Sequence, residues 1–126
     1  MGIRHTEYHM CVSLVEWFAY AHKGLGIPEH LLVHVPNQAG GNPRTGMHLR
    51  KMGVRKGVPD YILLSPNKQG KHGLFLEMKS ATGKLSPEQV NMAATLSAQG
   101  YSVITCRSAM EARDAIENYI KGTPAR

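Results

Sequence analysis

Apolar side chains recur at helical spacing near the start of the chain. Cys11, Leu14, Phe18 and Ala21 share one face with Glu7 at its head, while His9, Ser13, Glu16, Tyr20 and Lys23 lie opposite. The pattern predicts a helix from Glu7 to about His22, with Thr6 as N-cap and Gly24 and Gly26 ending it. Pro28 to Leu32 suits a short helical turn and Leu32 to Val35 a short strand. Pro36 to Gly46, rich in Gly, Asn and Pro, predicts a loop, and Met47 to Met52 one or two helical turns.

The second half is more sharply punctuated. Tyr61–Leu64 and Leu74–Lys79 are apolar runs of strand length. Ser65 to Gly73 between them predicts an antiparallel hairpin with a loose tip. Ser86, Pro87 and Gln89 form a capping-box start for a helix that stops at Gly100. Tyr101–Cys106 follows as a strand. Ser108 and Glu111 then make a second capping box for a helix ending near Lys121. The order is helix, three strands, helix, strand, helix, which is an α/β domain around a mixed sheet. A chain of 126 residues fits one domain, residues 1–126, with a sizeable core.

Composition adds direction. Net charge is +6 with a pI near 9.6. From Ala39 to Ser86 there are nine basic residues: Arg44, Arg50, Lys51, Arg55, Lys56, Lys68, Lys71, Lys79 and Lys84. Asp60 and Glu77 are the only acids in that stretch. Two isolated carboxylates in a basic segment point to a site that holds a cation and faces a polyanion. No run reaches the roughly 18–20 apolar residues of a membrane span. Arg4, His5 and Glu7 precede any apolar stretch, unlike a secretion signal. The two distant cysteines, Cys11 and Cys106, make no disulfide framework, so a reduced cytoplasmic setting is expected.

The candidate chemistry lies in Pro59-Asp60, sixteen intervening residues, then Glu77-Met78-Lys79. Strand alternation points Phe75, Glu77 and Lys79 one way and Leu74, Leu76 and Met78 the other. A hairpin brings Asp60 toward Glu77. Two carboxylates with a backbone carbonyl make a hard, all-oxygen site suited to Mg²⁺ or Mn²⁺. Lys79 beside it can orient a water and stabilise developing negative charge. Glu7, heading the apolar stripe, either complements the helix dipole or reaches the metal or its water shell. Glu16 is a solvated-face residue. Gln89 is accounted for as a capping residue, with a contact to the attacking water or a phosphate as the other role open to it. His5 and His9 are four apart, but no Cys or HExxH context supports a zinc site. His34 and His72 read as structural or surface groups, and both cysteines as small core residues.

These segments together resemble the virus-type replication-repair nucleases (VRR-Nuc) of the PD-(D/E)xK superfamily. The resemblance rests on Gly57-Val58-Pro59-Asp60, Gly73 to Lys79, Gly83 to Gln89, Gly100-Tyr101-Ser102-Val103 and the helix with Glu111-Ala112. Val35-Pro36-Asn37 and the Glu7 to Trp17 spacing add to it. It implies a restriction-endonuclease-like core and structure-selective DNA cleavage with Mg²⁺ or Mn²⁺. It also implies a homodimer resolving Holliday junctions. Carried over by position, Asp60, Glu77 and the Met78 carbonyl would hold the metal, Lys79 would be the catalytic lysine, and Glu7 and Gln89 would belong to the site. Cys11 departs from the Gln that family members often carry. Arg44, Arg50, Lys51, Arg55, Lys56 and Lys84 are the expected phosphate contacts. A flap or duplex nuclease, and a non-catalytic DNA-binding accessory, are the competing readings.

Overall fold

The computed structural model describes residues 5–36 and 43–122. Its elements are α1 (His5–Leu25), a 3-10 turn (Glu29–Leu31), β1 (Leu32–His34), α2 (Pro43–Lys51), β2 (Tyr61–Leu63), β3 (Leu74–Met78), α3 (Pro87–Ala98), β4 (Ser102–Cys106) and α4 (Ala109–Lys121). The strands form one sheet in the order β1-β2-β3-β4. The first three are antiparallel, and β4 runs parallel to β3. A parallel pair cannot be joined by a tight turn, so α3 is the crossover between them. This is the mixed-sheet α/β architecture that the element order predicts.

Local features of three helices differ from expectation, and several strands end one residue inside their predicted bounds. α1 begins at His5, so Thr6 lies inside the helix, and it runs through Gly24 to stop where Gly26 turns left-handed at φ 76°. α2 spans Pro43–Lys51, so Pro43 to Gly46 of the predicted Pro36–Gly46 loop are helical. Residues 37–42 of that loop, including Asn37, lie outside the described residues. At α4, Ser108 accepts from Glu111 N–H as expected, but Glu111 Oε1 accepts from Arg107 N–H at 2.8 Å. The reciprocal half of the predicted box is therefore displaced by one residue.

The core lies on one face of the sheet. Met10, Cys11, Leu14 and Phe18 of α1 meet Ala112, Ala115, Ile116 and Tyr119 of α4 over Leu63, Leu74, Leu76, Met78 and Cys106. The apolar stripe of α1 is thus the buried one, and Glu16 is exposed. Arg113 seats its guanidinium 5.2 Å from the centroid of the Trp17 ring, joining α4 to α1. α3 lies on the opposite face and has no fully buried residue.

The hairpin tip is pinned where the sequence predicted looseness. Asn67 Oδ1 accepts from the N–H groups of Gln69 and Lys71, and Asn67 Nδ2 donates to Tyr119 O at 3.0 Å. The Tyr119 hydroxyl donates to Ser65 O at 2.6 Å. An Asx turn closes the tip locally, and α4 holds it from outside. Tyr119→Phe should therefore lower stability by about 1–2 kcal/mol, since it strands a carbonyl in a half-buried place. A urea midpoint that drops with no change in slope is the expected reading.

Candidate metal centre

The register of β2 on β3 assembles the site. Tyr61 pairs with Leu76, so Asp60, one residue earlier, comes level with Glu77. Asp60 Oδ2 accepts from Met78 N–H at 2.7 Å, which extends the ladder with a side chain. Alternation along β3 holds as expected: Leu74, Leu76 and Met78 enter the core, Glu77 faces α3, and Phe75 lies outside that core against the Tyr101 ring. Glu77 is only 5% exposed, the one buried charged residue among those described.

Gln89 is the capping residue expected, and it also makes a contact that was not foreseen, to Glu77. Its amide oxygen accepts from Ser86 N–H at 2.8 Å and completes the capping box, while Ser86 Oγ accepts from Gln89 N–H at 3.1 Å. Its amide nitrogen donates to Glu77 Oε2 at 3.2 Å. The cap fixes the amide's orientation, and the orientation aims its donor at the carboxylate. Gly57 makes the matching close approach from the other side. It sits at φ +90°, and a Cβ there would meet Glu88 O at 2.4 Å. Only glycine lets the chain leading to Asp60 lie this close to the first turn of α3.

The electrostatics follow from this crowding. Burial pushes the Glu77 carboxyl up, the adjacent Asp60 pushes it further, and Lys79 pulls it back, leaving it at about 8. Asp60 is also raised, by burial first, against the lowering influence of Met78 N–H, Glu77 and His34. Two adjacent carboxylates, one buried and one half-buried, disfavour ionising together without a positive partner. Glu77 Oε1 is buried with no hydrogen-bond donor. A proton shared with Asp60 is one resolution, and a divalent cation is the other. The donor chemistry therefore fits a hard cation, with Asp60 and Glu77 as the residues to hold it.

Glu7 stands one step away. Its Oε2 accepts from Ser80 N–H at 3.3 Å, and its charge acts on both Asp60 and Glu77. Among the described residues no three His, Cys, Asp or Glu side chains form a cation-ready group. Lys79, directly after β3, is half-buried, and its backbone N–H donates to Cys106 O at 2.9 Å. Arg44, Arg50, Lys51, Arg55, Lys56 and Lys84 are exposed. Arg55 lines a hollow of about 260 Å³ with Val35, Gly57 and Val58, on the chain that leads to Asp60. Both cysteines are free and buried, and burial pushes the thiols up, Cys106 to about 12, so neither is a thiolate nucleophile.

Two neighbours escaped sequence reasoning. His34 donates from Nδ1 to Asp60 O at 3.0 Å and lies 5.0 Å from the Tyr61 ring. Pairing of His34 with Tyr61 is a matter of register, for which an isolated histidine gives no signal. Ser80, whose N–H engages Glu7, follows the motif without belonging to it.

Two predictions follow from the geometry. Between the ordinary value of 4.5 and about 8, folded Glu77 keeps a proton that the unfolded chain has released. Stability of the metal-free protein should therefore fall as pH rises through that window. Glu77→Gln should flatten the fall, and Mg²⁺ should raise the unfolding temperature of wild type at pH 8 but not that of the variant; thermal melts across pH read both. Gly57→Ala should cost at least about 1 kcal/mol, because it adds a backbone clash to an unfavourable φ. Gly70→Ala, at φ +86° with open space around it, should cost less in the same denaturant titration.

Comparison with known proteins identifies the domain. The chain matches the VRR-NUC domain over residues 19–110, a span that holds Asp60, Glu77, Met78, Lys79 and Gln89 but not Glu7. A solved structure described as a VRR_NUC domain protein superimposes with a TM-score of 0.79 at 24% identity, covering 96% of this chain and 91% of that one. No curated protein matches the chain. With the domain model matched over most of its length, and a fold shared with a protein of that description, the chain belongs to the VRR-NUC family.

Proposed function

We propose that this protein is an Mg²⁺- or Mn²⁺-dependent endodeoxyribonuclease. In this reading residues 1–126 form one catalytic domain that acts as a homodimer on branched DNA, with a Holliday junction as its preferred substrate. The observation that carries the reading is the pairing of half-buried Asp60 with buried Glu77, one Glu77 oxygen being held by Gln89 and the other lacking a donor. Family membership and the basic surface around the pair support it. Two sites in a dimer would suit paired cuts across a junction. A cytoplasmic setting goes with this substrate and with free thiols. No helix among the described residues is long and apolar enough to cross a membrane.

The chemistry assigns each residue a task. Asp60, Glu77 and the Met78 carbonyl would hold the cation, with Glu7 at its water shell. When bound, a divalent cation supplies Lewis-acid polarisation of the phosphoryl oxygen and acidifies a water ligand. Lys79 orients the attacking water and stabilises the charge that develops on the phosphate. Gln89 keeps Glu77 in one orientation. Arg44, Arg50, Lys51, Arg55, Lys56 and Lys84 neutralise DNA phosphates and so place the strand without reading its sequence.

The test is cleavage of a synthetic four-way junction, a flap and a plain duplex, each with and without Mg²⁺. Wild type should cut the junction fastest and only with metal. Lys79→Ala and Glu77→Ala should lose roughly a hundred-fold or more, the usual scale for removing a group that stabilises transition-state charge. Absence of metal-dependent cutting on all three substrates would leave the non-catalytic DNA-binding reading. A flap or duplex preference would change the substrate and keep the chemistry. Undiminished cutting by Glu77→Ala would place the site elsewhere.

A further inference from the structure

Arg107 follows the last residue of β4, and its half-buried guanidinium crosses to the segment after Lys79. Its Nη1 donates to Ser80 O at 2.8 Å and to Gly83 O at 2.5 Å. These carbonyls belong to the two ends of one turn, closed by Gly83 N–H donating to Ser80 O at 3.2 Å. Lys79 precedes the turn. Lys84 and Leu85 follow it, leading to Ser86 and α3, whose first turn carries Gln89.

The turn is held from several elements. Ser80 N–H is engaged by Glu7 of α1, and Lys79 N–H by Cys106 O of β4. Arg107 is itself held, because its backbone N–H donates to Glu111 Oε1 of α4. Gly83 lies against the lysine: a Cβ there would stand 3.6 Å from Lys79 Cδ and 3.0 Å from Ser80 Oγ. A shift of this turn therefore moves the stem of Lys79 on one side and the start of α3 on the other. Both residues converge on Glu77, Lys79 through its charge and Gln89 through its amide.

We infer that Arg107 is a positioning residue for the reaction: by bridging the Ser80 and Gly83 carbonyls it fixes the turn that sets Lys79 and Gln89 against Glu77. Nothing in the Asp60 or Glu77-Met78-Lys79 segments marks it, since it follows another strand, β4. Both hydrogens of Nη1 are used on the turn, so this nitrogen is committed to the protein. The inference rests on the nuclease reading for its kinetic consequence, but its structural consequence can be measured without turnover.

Wild type, Arg107→Gln and Arg107→Lys are compared in two measurements. The first is junction cleavage with Mg²⁺ at limiting and saturating DNA. The second is amide hydrogen exchange. Arg107→Gln should lose roughly ten- to hundred-fold in kcat with KM unchanged, the scale of misplacing catalytic groups by about 1 Å. Its amides over residues 80–86 should exchange faster while Leu74–Met78 stays protected. Arg107→Lys, which keeps a cation with several donors, should recover most of both. Full kcat in Arg107→Gln with unchanged exchange overturns the inference. A loss confined to KM also overturns it, marking a DNA contact, and so does lost protection across the whole sheet, marking a general brace. If wild type cuts nothing, the nuclease reading fails by itself. The exchange measurement then decides whether Arg107 sets the turn: faster exchange over 80–86 upholds it, and unchanged exchange overturns it.

Discussion

A buried carboxylate, Glu77, held beside a half-buried one, Asp60, is the constraint around which this structure is organised. Water is what makes an ionised carboxylate affordable, and Glu77 has almost none. The surrounding groups each offset part of that cost. Met78 N–H serves Asp60, the Gln89 amide serves Glu77, and the Lys79 charge lies close by. One oxygen, Oε1 of Glu77, receives nothing from the protein. A positive partner would offset what the protein leaves uncompensated, which is the basis of the proposed cation site. Without one, the pair holds a proton well above the ordinary carboxylate range.

The unequal faces of the sheet make this possible. The face toward α1 and α4 is filled by interlocking apolar side chains and supplies the rigidity. The face toward α3 is thinly covered, and α3 buries none of its residues completely. Glu77 points to this second face, where Gln89 can reach it. The fixed backbone comes from one side of β3 and the chemistry from the other. Gly57 shows how closely the pieces must fit, since even one methyl group would strike the first turn of α3.

Much of this was legible in the chain because the signals are local. Ser86-Pro87-Glu88-Gln89 announces a helix start, and the start is where it was expected. Alternation along Leu74–Met78 separates core from site, and the stripe Cys11, Leu14, Phe18 marks the buried face of α1. Misreadings arose where local signals compete. Thr6 was a plausible cap, but the helix extends past it to His5. Polar residues at the hairpin tip read as looseness, although Asn67 both closes the turn and reaches Tyr119. That partner lies more than fifty positions along the chain, beyond any local pattern.

The sequence by itself determined the elements, the face each one buries and the identity of the paired carboxylates, because periodicity, caps and an acid-poor basic stretch are written in neighbouring residues. Only the tertiary structure decided how those groups meet. The β2–β3 register places Asp60 level with Glu77, and the crossover helix lets a capping glutamine also hold a carboxylate. The end of β4 sends Arg107 to the turn after Lys79. Each is a contact between distant segments, and its geometry exists only once strands have paired and helices have docked.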